Sequence, residues 1–194
     1  MPTTEDSSGT KVAPLFGCPR KIVDFDSFWL NPVYYSDIEF IYPSEKENVD
    51  AILAFSYVVH ADPGIFEILL HLTFRPYNSY CIYLDAKVDE GDIKTAFEGI
   101  VKCYNDHFPN STIFLHPQPA EIYWGTYSLL NADLRCIEAL LERNEEWEYY
   151  INLAGTELPV TSVEELASKL ANSKLNISVE SYIGEFYFKG YIGR

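Results

Sequence analysis

Positive charge is scarce in this chain: 14 Lys and Arg stand against 29 Asp and Glu among 194 residues, a formal net charge of -15. Such a surface repels phosphate backbones and anionic lipid, which excludes a general nucleic-acid binder. Long apolar runs are also missing. No uninterrupted stretch approaches the roughly 18 to 20 residues of a membrane helix, and Met1 to Thr10 lacks the basic and apolar blocks of a signal peptide, so the chain as given reads as soluble. Neither GxGxxG nor a P-loop motif occurs, which disfavours NAD-type and P-loop chemistry. The four cysteines, Cys18, Cys81, Cys103 and Cys136, are too widely spaced for a zinc ribbon or a CxxC pair, and no metal site is expected from them. Their even count fits two disulfides in an oxidising compartment and equally fits buried thiols in the cytosol.

What is present is core-forming material. Hydrophobic residues make up 47% and aromatics 15%, against 22% charged, so the chain folds, and its length suits one domain. The sequons Asn110-Ser111-Thr112 and Asn176-Ile177-Ser178 are candidate glycosylation sites and tilt the cysteine question toward the secretory route. Residues 1–49 hold scattered turn formers and aromatics without a sustained period and read as an irregular leader that packs on a domain spanning 50–194.

Within that domain, strands and helices alternate. Ala51 to Val59 reads as an apolar strand, then a helix runs over about Gly64 to Phe74 with Ile65, Leu69 and Leu72 at helical spacing. Tyr80 to Leu84 is a second strand, and Gly91 to Tyr104 a second helix with Ile93, Phe97, Ile100 and Val101 on one face. Thr112 to Leu115 is a third strand, followed by a loop with Pro117 and Pro119. A long helix over Thr126 to Glu142 then presents Leu129, Leu130, Leu134, Ile137 and Leu141. Tyr149 to Leu153 is the fourth strand, and Ser162 with Glu165 gives a capping box for a helix to about Ala171. Strands that are apolar throughout predict an α/β fold, a mostly parallel sheet with helices on both faces.

In such sheets ligands bind beyond the carboxyl ends of the strands. The first strand ends at His60, the second at Asp85, and the fourth runs into Gly155-Thr156-Glu157. A carboxylate at Asp85 can accept hydrogen bonds from ribose hydroxyls or a base N–H; alternatively it caps the next turn. His60 is either a site residue or a structural histidine. Trp124-Gly125 precede the third helix, where backbone N–H groups could meet a phosphate and the indole a sugar or base, unless the Trp plugs the junction of helix and sheet. Asp24-Phe25-Asp26 is a literal DxD, but it lies in the leader and not at a strand end, and is read as coincidence.

The ordered segments Ala54-Phe55-Ser56-Tyr57-Val58-Val59-His60, Pro76 to Asp85, Trp124-Gly125 and Trp147 to Pro159 resemble the core-2/I-branching N-acetylglucosaminyltransferase family, which also contains the peptide O-xylosyltransferases. The resemblance covers about residues 50 to 180. It implies a GT-A-like, Rossmann-like fold and a Golgi type II membrane enzyme of the lumenal side, anchored by a segment absent from this chain. Such an enzyme transfers a sugar, here expected to be N-acetylglucosamine, from a UDP-sugar to a glycan or glycoprotein acceptor with inversion, and requires no metal ion or other cofactor. His60, Asp85, Trp124, Gly125 and Glu157 then become nucleotide-sugar-binding candidates, Cys81 and Cys136 a disulfide pair, and Cys103 the partner of an upstream cysteine, a role Cys18 could fill.

Three departures stand out. Glu157 replaces the family's usual Asp, Tyr83 replaces a His, and Ala154 stands where one member has a cysteine. By the same resemblance the chain stops at Arg194, where an acceptor-binding half begins that supplies the general base and the basic residues for the donor diphosphate; the catalytic residues are therefore not assigned. The expected protein is the donor-binding part of such an enzyme. Its rivals are a non-catalytic nucleotide- or glycan-binding relative of the secretory pathway and an unrelated cytosolic protein with four free thiols.

Overall fold

The computed structural model describes residues 49–88, 91–143 and 146–173, together with the backbone of 177–180 and 189–193. Cys18, the Asp24-Phe25-Asp26 tripeptide, Asn176 and all of the leader but Val49 lie outside the described residues. Six strands form one sheet: β1 (Leu53–Val59), β2 (Ser79–Leu84), β3 (Thr112–Leu115), β4 (Tyr149–Ala154), β5 (Ile177–Glu180) and β6 (Lys189–Gly193). Among the described residues four helices accompany them: α1 (Pro63–Thr73), α2 (Asp92–His107), α3 (Tyr127–Glu142) and α4 (Val163–Ala171). The strand order is β3-β2-β1-β4-β6-β5. The first four strands are parallel, and β6 and β5 add an antiparallel edge that the sequence reading does not contain.

Local chemistry sets the helix ends. Pro63 opens α1, a position where its missing N–H costs nothing. The Thr126 and Ser162 side chains cap α3 and α4 by accepting from the backbone N–H of Ser128 and Glu165. Because β1 and β2 are covered on both sides, β2 is buried at all six positions and β1 at six of seven.

The two faces of the sheet differ in character. On one, Leu53, Phe55, Tyr57, Tyr80 and Ile82 pack against Phe66, Leu70 and Phe74 near α1, Phe97 and Tyr104 of α2, and Val163 and Ala167 of α4. The other face carries Ala54, Cys81, Tyr83 and Tyr150 under α3. Cys81 and Cys136 are joined as a disulfide that ties β2 to α3 across 55 positions of sequence. Cys103 on α2 is disulfide-bonded too, and its expected partner, Cys18, lies outside the described residues. No described cysteine is free, so four free thiols are not the state the structure describes.

Helix α3 corrects the sequence reading. It buries Ala132, Cys136, Ala139 and Leu140 and leaves Leu130, Leu134 and Leu141 exposed. The strands beneath present bulky Tyr83 and Tyr150, and small helical residues let the backbone approach closely enough for the disulfide. Ile65 and Ile93, placed on apolar faces by their spacing, are likewise exposed.

One turn apart on α1, a carboxyl and an imidazole are both buried. Glu67 is 4% exposed and its Oε2 has no hydrogen-bond partner among the described residues; burial pushes its pKa from 4.5 up to about 8. Burial also pushes His71 from 6.5 down to about 3, with Nδ1 meeting the Tyr104 hydroxyl. The raised carboxyl contributes stability that is complete below pH 4.5 and lost as pH climbs to 8. The depressed imidazole contributes stability that is complete above pH 6.5 and lost as pH falls to 3. Their slopes oppose between 4.5 and 6.5, so these two groups favour a mildly acidic optimum. Urea unfolding of Glu67→Gln should lack the fall in stability that the wild type shows from pH 6.5 to 8, a difference on the order of a few kcal/mol. Parallel pH profiles for the two proteins would refute this account.

Candidate functional site

The chain runs from β1 outward to β2 and β3, then returns to place β4 on the other side of β1. Strand order therefore reverses at β1, and a crevice opens where the connections leaving β1 and β4 diverge. The register makes His60, Asp85 and Gly155 neighbours at this end: Val59 pairs with Leu84 and Val58 with Ala154, while the N–H groups of Asp85 and Gly155 donate to Val59 O and Val58 O, each at 2.9 Å. Gly155 is required here, since a Cβ on it would sit 2.7 Å from Val59 Cγ1.

A cavity of about 520 Å3 opens at this edge, lined by His60, Asp85, Lys87, Val88, Gly91, Asp92 and Ile93. Asp85 is only 5% exposed, so its carboxylate needs partners. Its Oδ1 accepts the backbone N–H of Lys87 at 2.9 Å and of Ile122 at 3.3 Å, and Oδ2 faces Lys87 Nζ at 3.4 Å. The same ammonium donates to Ile122 O and lies 4.4 Å from the centre of the Tyr123 ring. Asp85 thus caps its own turn with one oxygen and holds a cation beside the cavity with the other. Lys87 is the one cation among the described residues that line the cavity.

The sequence candidates fall in different places. His60 and Asp85 share the cavity, whereas Trp124, Gly125 and Glu157 do not line it. Trp124 is 82% exposed and so does not plug a helix–sheet junction; Trp147, 4% exposed among Ala54, Cys136 and Tyr150, is the tryptophan buried beneath α3. Gly125 takes a φ of 72°, a left-handed turn that suits glycine ahead of α3. The start of α3 is occupied from within: the Thr126 hydroxyl receives Ser128 N–H and donates to Tyr123 O, and Tyr123 N–H donates to Ser128 Oγ. The Glu157 carboxylate turns back to accept Ala154 N–H at 2.8 Å, closing the turn after β4. Among the described residues no three His, Cys, Asp or Glu side chains converge on a metal position.

Residues 53–190 match the model of the Core-2/I-Branching enzyme family. The chain belongs to this family. It is 36% identical over 150 residues to a beta-1,3-galactosyl-O-glycosyl-glycoprotein beta-1,6-N-acetylglucosaminyltransferase 3 of Bos taurus, covering 76% of this chain and 32% of that protein. The Homo sapiens protein of that name is 33% identical over 142 residues (73% of this chain, 31% of that protein), and a Bovine herpesvirus 4 beta-1,6-N-acetylglucosaminyltransferase is 34% identical over the same length and shares. The chain thus spans about a third of the length of the curated relatives it matches. Among solved structures, a mannosyltransferase from Pyrobaculum calidifontis in complex with GDP-Man and Mn2+ aligns at a TM-score of 0.44 and 14% identity, over 70% of this chain and 36% of that one.

Lys87, Val88, Gly91, Asp92 and Ile93 line the cavity, and none of them is a site candidate by sequence reasoning, which reads Gly91 and Ile93 only as parts of the second helix. Lys87 carried a usable signal, standing two residues after a strand-end aspartate, where an Asx-type turn brings the i+2 residue back over the carboxylate. The close approach at Gly155 gives a direct test. Gly155→Ala should separate the ends of β1 and β4 and cost about 1–3 kcal/mol in chemical denaturation, because Val59 is fully buried and stiff at χ1. An unchanged midpoint would mean that the crevice is more compliant than the packing indicates.

Proposed function

We propose that this chain forms the donor-nucleotide region of a glycosyltransferase that passes N-acetylglucosamine from a UDP-sugar to a glycan acceptor. The observation that carries the reading is the Asp85–Lys87 pair at the reversal of strand order, a buried carboxylate and a fixed ammonium on one cavity wall. Nucleoside hydroxyls or a base N–H suit the carboxylate, and a diphosphate suits the ammonium. Family membership and relatives named as beta-1,6-N-acetylglucosaminyltransferases supply the reaction class. His60 opens on the same cavity, and the Tyr123 ring lies against Lys87, a surface for a sugar or base that exposed Trp124 extends along the chain. Gly125 and Glu157 shape the turns before α3 and after β4.

Inverting transfer requires a carboxylate to take the acceptor proton and positive charge to meet the departing diphosphate. Lys87 meets part of the second need without a metal ion. The base is assigned to no residue of this chain. The disulfides fit an oxidising compartment, and the reading places the enzyme on the lumenal side of the Golgi.

Calorimetry with UDP and UDP-N-acetylglucosamine, in chelator, tests the donor site. Wild-type protein should bind, and Asp85→Asn should weaken affinity about tenfold while leaving the melting midpoint within a few degrees. Equal affinities would remove Asp85 from the site, and no binding by folded wild type would remove the donor reading. Compartment is tested separately. Asn110 lies exposed in the turn after α2, and expression through a secretory host should add one glycan there, seen by mass spectrometry; an unmodified Asn110 would count against lumenal exposure.

A further inference from the structure

The segment 116–122 after β3 holds Pro117 and Pro119 on either side of Gln118, whose N–H turns to His116 Nδ1 at 3.2 Å instead of continuing the β2–β3 ladder. The ladder ends with His116 N–H donating to Ile82 O at 2.8 Å. Beyond it, pairing along the path of β2 resumes irregularly, with Ala86 N–H on Ala120 O at 3.2 Å, Ile122 N–H on Asp85 Oδ1 and the Lys87 ammonium on Ile122 O. From β2, the gap between His116 and Ala120 is bridged by the side chain of Tyr83. Tyr83, 1% exposed near the end of β2, accepts Ala120 N–H at 3.0 Å and donates to Gln118 O at 3.4 Å, and its ring packs on the His116 imidazole with centroids 5.0 Å apart. Arg135 Nη1 of α3 also reaches Gln118 O, at 3.4 Å.

We infer that Tyr83 is a positioning residue for the donor site: its hydroxyl bridges the break in backbone pairing between His116 and Ala120 and so holds loop 116–122 where it orients Asp85 and Lys87. Tyr83 does not line the cavity, and its effect reaches the ligand only through Ala120 and Ile122. The inference rests on the donor reading for its consequence in binding, though not for its structural core.

The test uses the full disulfide-intact chain and Tyr83→Phe, which deletes one oxygen and keeps the ring. Amide hydrogen exchange should quicken about tenfold at Ala120 and Ile122 with no change in the core amides of β1. UDP affinity by calorimetry should fall five- to tenfold at an unchanged melting midpoint, and in a Lys87→Ala background the same substitution should have a clearly smaller effect, since both act through one contact. Unchanged exchange at Ala120 and Ile122 overturns the inference whether or not UDP binds. Faster exchange with wild-type UDP affinity, or losses that simply add in the double variant, also overturns it. Failure of the wild type to bind UDP refutes the donor reading and leaves the exchange arm to decide whether Tyr83 holds the loop.

Discussion

A carboxylate withdrawn from water at the end of a central strand must be matched by donors, and much of the cavity wall follows from how Asp85 is matched. Its partners come from two segments that the sequence separates by 35 positions, the turn at Lys87 and the loop at Ile122. Once Ile122 N–H is drawn to Oδ1, its carbonyl lies where the Lys87 ammonium can use it, and the Tyr123 ring comes under the same charge. Each of these contacts is modest, about 1 kcal/mol or a little more with a charged partner. Together they leave the cation one position, beside the carboxylate and on the cavity wall.

The rest of the sheet divides its labour by face. The α1 side is a continuous stack of aromatic rings, Phe55, Tyr57, Tyr80, Phe74 and Tyr104, where burial supplies stability with little demand on angle. The α3 side is polar and covalent. Asp133 receives Ser56 Oγ at 2.9 Å, the Tyr150 hydroxyl at 3.2 Å and Asn152 Nδ2 at 3.2 Å, and the Cys81–Cys136 bond lies one helical turn further along. Burial raises the Asp133 pKa, and those three hydrogen bonds pull it back. A buried carboxyl with three directed donors accepts only a narrow range of helix positions, so α3 is fixed in register as well as held down. The loop entering α3 is the one that reaches Asp85, and precision on this face therefore reaches the site.

Much of this was legible in the sequence where the signal is local. The short strand Thr112–Leu115 and the Ser162–Glu165 cap are found where pattern places them, and the alternation of apolar strands with helices gives the parallel sheet. Periodicity places α3 only in part: Leu129 and Ile137 pack against the sheet as their spacing predicts, whereas Leu130, Leu134 and Leu141 are exposed and the small Ala132, Cys136 and Ala139 are buried, because the strands already fill the space. Asp85 is readable as a strand-end carboxylate. Its dependence on Ile122 and Tyr83 is not, because the contacts cross from β2 to a proline-containing loop that has no period to read. Trp124 is conspicuous by type and is the most exposed large ring of the site region, while Lys87, ordinary by type, faces the cavity.

The charge balance of the cavity bears on how a donor is held. Asp85 and Asp92 outnumber Lys87, and the chain as a whole carries -15, so no long-range field draws a diphosphate inward. Beyond about 8 Å at physiological salt that field is screened, and attraction has to come from contact. Lys87 Nζ faces Asp85 Oδ2 at 3.4 Å and offsets its charge. On the proposed donor reading, a nucleoside hydroxyl donating to the carboxylate would take over part of that task and leave the ammonium freer to meet phosphate. The two ends of the donor would then be linked through one ion pair, favouring a ligand that carries both a hydroxylated nucleoside and a phosphate over either piece alone.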